Sequence, residues 1–380
     1  MKTKLALLIM VLISLAASAA LAGPSPSEPR FGGVLRATIN SNPASLDPVL
    51  EGGENEQIPA GHIFETALTT GLEGSVYAGV CTYEVKNDGK TIELTLRDGV
   101  KFHDGSTVSI DDVKASADRW LANVNFAKSH VGKKLERLET VDNKLIFTFK
   151  EPAPLALTAI STWDRGLYIV PKSICEKYPN SKIENDDLVG TGPYAFKDYQ
   201  VGRFVLLEKF KEYVPYESGG SGLAEAKQGY VDTLYFYPVS DKTARITGVQ
   251  TGEYDVGIGV PSNMLETMRK DPKLNLEIKE LGIMPVVVFN FKQGPCSDVN
   301  LRNAILSCLD MDELMMAAQG DESLYYLNPS VMQKSSRWWT DESLGKYDKV
   351  DLEKAREYLK ASSYDGKPLD RKSTRLNSSH

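Results

Sequence analysis

The chain has 380 residues, 42% hydrophobic and 25% charged, with 44 Lys plus Arg against 51 Asp plus Glu and a net charge of −7. This acidic balance, without any block of like charge, argues against a nucleic-acid partner, because phosphate binding calls for clustered positive charge. The length suffices for two or three cores of roughly 100–200 residues each, and neither an internal repeat nor a second long apolar segment follows the amino terminus.

In chain order, Lys2 and Lys4 precede the apolar run 5–15, and Ala20-Leu21-Ala22 supplies the small residues a signal peptidase reads. This predicts a secretory signal over 1–22, cleaved before Gly23. The run is shorter than the roughly 20 residues of a spanning helix. Losing the signal leaves 42 basic against 51 acidic side chains, a charge of −9. The first cysteine is Cys81, so no lipid anchor is expected at the cleavage point and the mature protein is expected free in the periplasm.

Period-two alternation predicts short strands at 34–40, 91–96, 144–150, 204–208, 233–238 and 286–291. Helical spacing predicts helices near 58–69, 110–123, 240–251, 262–270, 301–319 and 351–361. The densest stretch is 94–113, LTLRDGVKFHDGSTVSIDDV. Asp88-Gly89 and Asp98-Gly99 bracket the strand 91–96 with residues that tolerate positive φ, and Asp104-Gly105 makes a further turn. Ser109 then stands at a helix N-cap, with Asp111 and Asp112 in a first turn that favours negative charge.

Several motifs point the same way. Ser45-Leu46-Asp47-Pro48 resembles an "LDP" element, and Ile63-Phe64-Glu65-Thr66-Ala67-Leu68-Thr69 resembles a helix leading into "LTT". Gly190-Thr191-Gly192-Pro193-Tyr194 is similar to a "GTGP(F/Y)" turn, GVQTGEYDV at 248–256 to a helix and "GE.D" turn, and DVNLRNAILSCL at 298–309 to "DvrvRqAi". Together, in this order from about residue 31 to 369, they resemble the bacterial extracellular solute-binding proteins of family 5, the peptide- and nickel-binding components of ABC importers.

The resemblance implies an α/β, two-lobed periplasmic binding protein fold of type II, a clamshell. Lobe I would take its core from 31–50 and 188–270 and carry an inserted subdomain at 51–187. Lobe II would begin at about 274 and be incomplete at 370, with a hinge at 271–280. Residues 371–380 match nothing in the family and read as a non-native tail. The implied function is capture of a peptide or other small solute between the lobes and delivery to an inner-membrane permease, by a monomer without catalysis or cofactor. A secreted α/β hydrolase and a nickel-chelate receptor are the alternatives. Loops at strand ends are common ligand sites, so the cleft contacts are expected from Ser41, Asn42 and Pro43 on lobe I and from Gly282, Ile283 and Met284 on lobe II.

Other chemistry reads weakly. Gly190 to Ala195 satisfies G-x-G-x-x-A, but the residues after Pro193 alternate like a strand instead of opening a helix over a pyrophosphate. His62 and Glu65, three apart on a predicted helix, could share a metal, though a solvated pair gives the same spacing. His103 is expected to serve folding. Four cysteines allow three complete disulfide pairings and none has C-x-x-C spacing. The face shared by Leu301, Ala304, Ile305 and Cys308 predicts a buried thiol at Cys308. Trp338 and Trp339 read either as lobe II core or as an aromatic platform.

Overall fold

The bracketed strand at 91–96 is where local sequence and tertiary packing agree most closely, in a computed structural model that describes residues 29–216, 219–278, 286–334, 336, 338–343 and 347–369. Asn87 and Asp88 both take φ 53°, and Gly89, Gly99 and Gly105 also have positive φ. Ser109 and Asp112 form a reciprocal capping box, the Asp112 carboxylate accepting from the Ser109 N–H at 2.8 Å.

In chain order the elements are β1 (Val34–Ile39), α1 (Glu54–Ile63), β2 (Leu68–Thr70), β3 (Val76–Ala78), β4 (Cys81–Lys86), β5 (Thr91–Leu96), α2 (Ile110–Asn123), β6 (Leu135–Val141), β7 (Lys144–Phe149), α3 (Ala156–Ser161) and α4 (Lys172–Lys177). They continue with β8 (Tyr194–Gln200), β9 (Phe204–Lys209), β10 (Thr233–Pro238), α5 (Lys242–Thr251), α6 (Ser262–Lys270), α7 (Val299–Ser307), α8 (Met311–Gln319) and α9 (Leu352–Ala361). No helix among the described residues is long and apolar enough to cross a membrane.

Two four-stranded sheets organise the chain. One has the order β1-β10-β9-β8, with β1 parallel to β10 and the other pairs antiparallel; the other is an antiparallel β4-β5-β7-β6. A continuous core runs between them through Ile39, Leu46, Ile63, Phe64, Leu94, Trp120, Phe147 and Leu207. Trp120 is fully buried, and its indole N–H donates to the Arg165 carbonyl at 3.0 Å.

Three expected elements differ. The helix expected at 58–69 begins at Glu54 and stops at Ile63, because Phe64 turns extended. The Ala67 amide then bonds the Leu167 carbonyl, and Leu68–Thr70 pairs with β3. The helix expected at 301–319 is two, since Asp310 caps a new one by accepting from the Glu313 N–H. Cys308 falls at the end of α7 with non-helical backbone, leaves the apolar stripe and is exposed, which corrects the expected buried thiol. The strand expected at 286–291 does not form: no chain pairs with it among the described residues, and Val288 is 85% exposed.

Candidate functional site

The motifs mostly fasten distant segments to one another. Asp47 of Leu46-Asp47-Pro48 is buried and takes the Arg119 guanidinium of α2 at 2.5 Å, while the amides of Val49 and Ile183 donate to it at 2.9 and 3.0 Å. Arg119 spends its other donors on the carbonyls of Tyr178 and Ser181. Giving each nitrogen of the guanidinium and each oxygen of the carboxylate a partner in this way is what makes a buried ion pair tolerable.

Gly190 and Gly192 lie against the end of α1, where a Cβ would fall 2.1 Å from the Ile63 carbonyl and 2.3 Å from that of His62. His103 reads this turn from the other side. Its Nδ1 accepts from the Gly190 N–H at 3.3 Å and its Nε2 donates to the Gly192 carbonyl at 2.9 Å, a neutral tautomer. Burial holds its pKa down at about 4, so the folding role expected of His103 fits its geometry. Glu65 accepts from Tyr213 at 2.8 Å and from Thr191 at 3.1 Å, and burial pushes its carboxyl up. His62 instead bonds the Ile58 carbonyl through Nδ1 at 2.7 Å. The two share no ligand geometry, and no group of three or more potential metal ligands occurs among the described residues.

The edge most suited to binding lies at the carboxyl ends of three parallel segments. β1 pairs with β10 on one side and with Val256 on the other, Thr38 N–H donating to the Val256 carbonyl at 2.9 Å. Beyond this edge run the loops 40–43, 239–241 and 257–260, the position where ligands bind in open parallel sheets. The turn after α5 makes the third segment possible. Gly252 takes φ 78°, the Tyr254 ring folds back so close to Gly248 that a Cβ there would clash at 2.4 Å, and Asp255 accepts from the backbone N–H, Nε and Nη2 of Arg36. That pair lowers the Asp255 pKa and raises that of Arg36.

Ser41, Asn42 and Pro43 all sit on this edge. Asn55 of α1 accepts from the Ser41 N–H at 3.2 Å and donates to its hydroxyl at 2.8 Å, Asn42 Oδ1 accepts from Gly202 N–H at 2.6 Å, and the Pro43 carbonyl accepts from the Tyr199 hydroxyl at 2.6 Å. Ser41 and Asn42 are exposed and Pro43 is buried. Gly282, Ile283 and Met284 lie outside the described residues. Arg245 joins the same edge from below, 1% exposed, its donors on the carbonyls of Val239, Ser240 and Ile258. Pattern alone does not single it out, because an Arg four residues after Asp241 reads as a solvated i,i+4 pair.

A separate cavity of about 750 Å³, mostly apolar, opens between α1, β2, α3 and the side chains of Tyr194, Tyr230 and Leu234, and includes none of Ser41, Asn42 and Pro43. Trp339 is half-buried with its indole N–H on Asn328 Oδ1 at 3.0 Å, and Trp338 is 61% exposed.

A probable peptide ABC transporter periplasmic-binding protein of Sinorhizobium fredii, y4tO, is 26% identical over 365 residues, covering 93% of this chain and 68% of its own length. The glutathione-binding protein GsiB of Salmonella typhi is 30% identical over 302 residues, covering 78% of this chain but only 54% of its own length. The chain thus spans roughly half to two thirds of these relatives. The solved structure of the periplasmic binding protein AgaA from A. tumefacien R10, in complex with agropinic acid, superposes with a TM-score of 0.68 at 23% identity, over 87% of this chain and 64% of that one. This likeness gives the α/β fold of the type II periplasmic binding proteins. The model of bacterial extracellular solute-binding proteins, family 5 Middle, matches residues 75–379, and the chain belongs to that family.

Proposed function

We propose that this chain is the solute-capturing component of an ABC importer. It is exported by the leader 1–22, works as a monomer free in the periplasm, closes two lobes around a peptide-like solute and presents the closed form to an inner-membrane permease, making and breaking no bond. The observation that carries this reading is the family match over 75–379, and the names of the relatives, a peptide transporter component and a glutathione-binding protein, favour a short peptide as cargo. Lobe I takes its core from 31–50 and 188–270 and its insertion from 51–187, a division supported by one sheet drawing on β1 and β8–β10 and the other on β4–β7 alone. Lobe II begins near 274, within the crossing at 271–280 that serves as the hinge.

Ser41, Asn42 and Pro43 form part of the lobe I wall and Gly282, Ile283 and Met284 part of the facing one. An extended solute main chain would bond the strand-end loops, as in strand addition. Closure follows only if the solute binds the closed state better than the open one.

Melting the full-length mature protein against reduced glutathione, dipeptides, oligopeptides and nickel chelates tests this. A saturable rise with a peptide is expected, worth about 2.7 kcal/mol at a concentration 100 times Kd. Flat curves throughout, or cleavage of a peptide, overturn the reading. A rise confined to nickel chelates replaces the cargo.

A further inference from the structure

Arg245 is unusual in being a cation 1% exposed that makes no ion pair among the described residues. Asp241 and Glu54 act on it only at longer range. Two of its three guanidinium nitrogens are spent on backbone oxygens: Nε donates to Ile258 at 3.0 Å, and Nη1 to Val239 at 2.5 Å and to Ser240 at 3.4 Å. One planar group therefore holds the loops that end β10 and the Val256 segment within its own span.

In a planar trans peptide unit the carbonyl of one residue and the N–H of the next point in opposite directions. Turning the carbonyls of Val239, Ser240 and Ile258 inward to Arg245 therefore turns the N–H groups of Ser240, Asp241 and Gly259 away from it. None of these three amides meets an acceptor among the described residues, and all three residues are exposed. Gly259 holds φ 72°, and a Cβ there would lie 3.2 Å from Arg245 Nη2, so the site favours glycine.

We propose that Arg245 is the positioning residue of the cleft lip, and that the lip it sets is a row of outward N–H donors on Ser240, Asp241 and Gly259 that receives oxygen acceptors of a peptide solute. This rests on the proposed function for its ligand, while the loop geometry stands apart from it. Arg245→Lys keeps the charge but not the fork, and Arg245→Gln removes the charge. In both, the amide NMR signals of Ser240, Asp241 and Gly259 should broaden or split while those of β1 and β9 stay in place.

In the wild-type protein, reduced glutathione or tri-alanine should protect these three amides from hydrogen exchange, and the affinity of the bound peptide should fall at least tenfold in both variants. Binding with the three amides unprotected, or variants that bind like wild type, overturns the proposal. If neither peptide binds the wild-type protein, the proposed function falls, and unperturbed loop signals in the variants would separately overturn the role of Arg245. Should both variants fail to fold, the wild-type protection pattern decides. Tri-alanine with an amidated terminus identifies the acceptor: undiminished affinity assigns a main-chain carbonyl, and lost affinity assigns the terminal carboxylate.

Discussion

Residues 29–270 and 286–369 are built on different terms. The first region carries two four-stranded sheets, the β2–β3 pair and a continuous core from Ala37 to Phe236, with Ile246, Leu265 and Met268 buried beyond it. In the second, Leu301, Ala304 and Ala355 are the only buried apolar side chains among the described residues. Yet the second region has well-formed helices. Asp298, Asp310 and Asp351 each cap one, and α7 and α9 run antiparallel, tied by Asp351 N–H to the Ser307 carbonyl and by Ser363 to the Asp298 carboxylate. A helix satisfies its own backbone, so caps and one packed stripe suffice. A strand borrows its hydrogen bonds from a neighbour, and the apolar run at 286–291 has none among the described residues.

The sharpest way to break this contrast is in the first region. Asp47→Ala should leave the Arg119 guanidinium buried and uncompensated, lowering stability by about 3–5 kcal/mol in urea unfolding; a loss under 1 kcal/mol would mean water enters and the pair is not a fastener. Gly190→Ala drives a methyl into the Ile63 carbonyl and should cost about 2–4 kcal/mol, visible as a lower melting temperature, whereas Gly99→Ala, with nothing within 4 Å but φ 76°, should cost about 1 kcal/mol.

Acid should act on the first region too. The unfolded His103 titrates near the ordinary 6.5 and the folded one at about 4, so between those values the unfolded chain binds the extra proton. Stability should therefore fall as pH drops through that window, by about 1–3 kcal/mol, and His103→Gln should flatten that part of the pH profile. The smallest effect belongs to the second region. Asp351→Ala should cost about 1 kcal/mol, speed hydrogen exchange in α9 alone and leave the unfolding midpoint of the 29–270 core in place. A shift of the main transition would show that the two regions are coupled.

What the sequence made legible follows the same division. Strands β5 and β10 stand where alternation puts them, α2 where spacing and its cap put it and α6 where spacing puts it, because each carries its signal within its own residues. β6 and β4 do not announce themselves: both mix charged side chains into their exposed faces, and their pairing with β7 and β5 supplies what pattern lacks. The place of Ser41, Asn42 and Pro43 at the end of β1 was legible because a loop after the first strand is local information. The burial of Arg245 was not, since it comes from the loops of two other segments folding over it.

The Asp47 carboxylate also imposes an order of events. Its acceptor positions are completed by an amide 136 residues further along, at Ile183. The whole stretch from 47 to 183 must therefore be in place before the opening segment can be latched, and early closure around residues 29–100 alone lacks this clasp. Contacts of such sequence separation slow folding, leaving the amino end loose until its distant partner arrives.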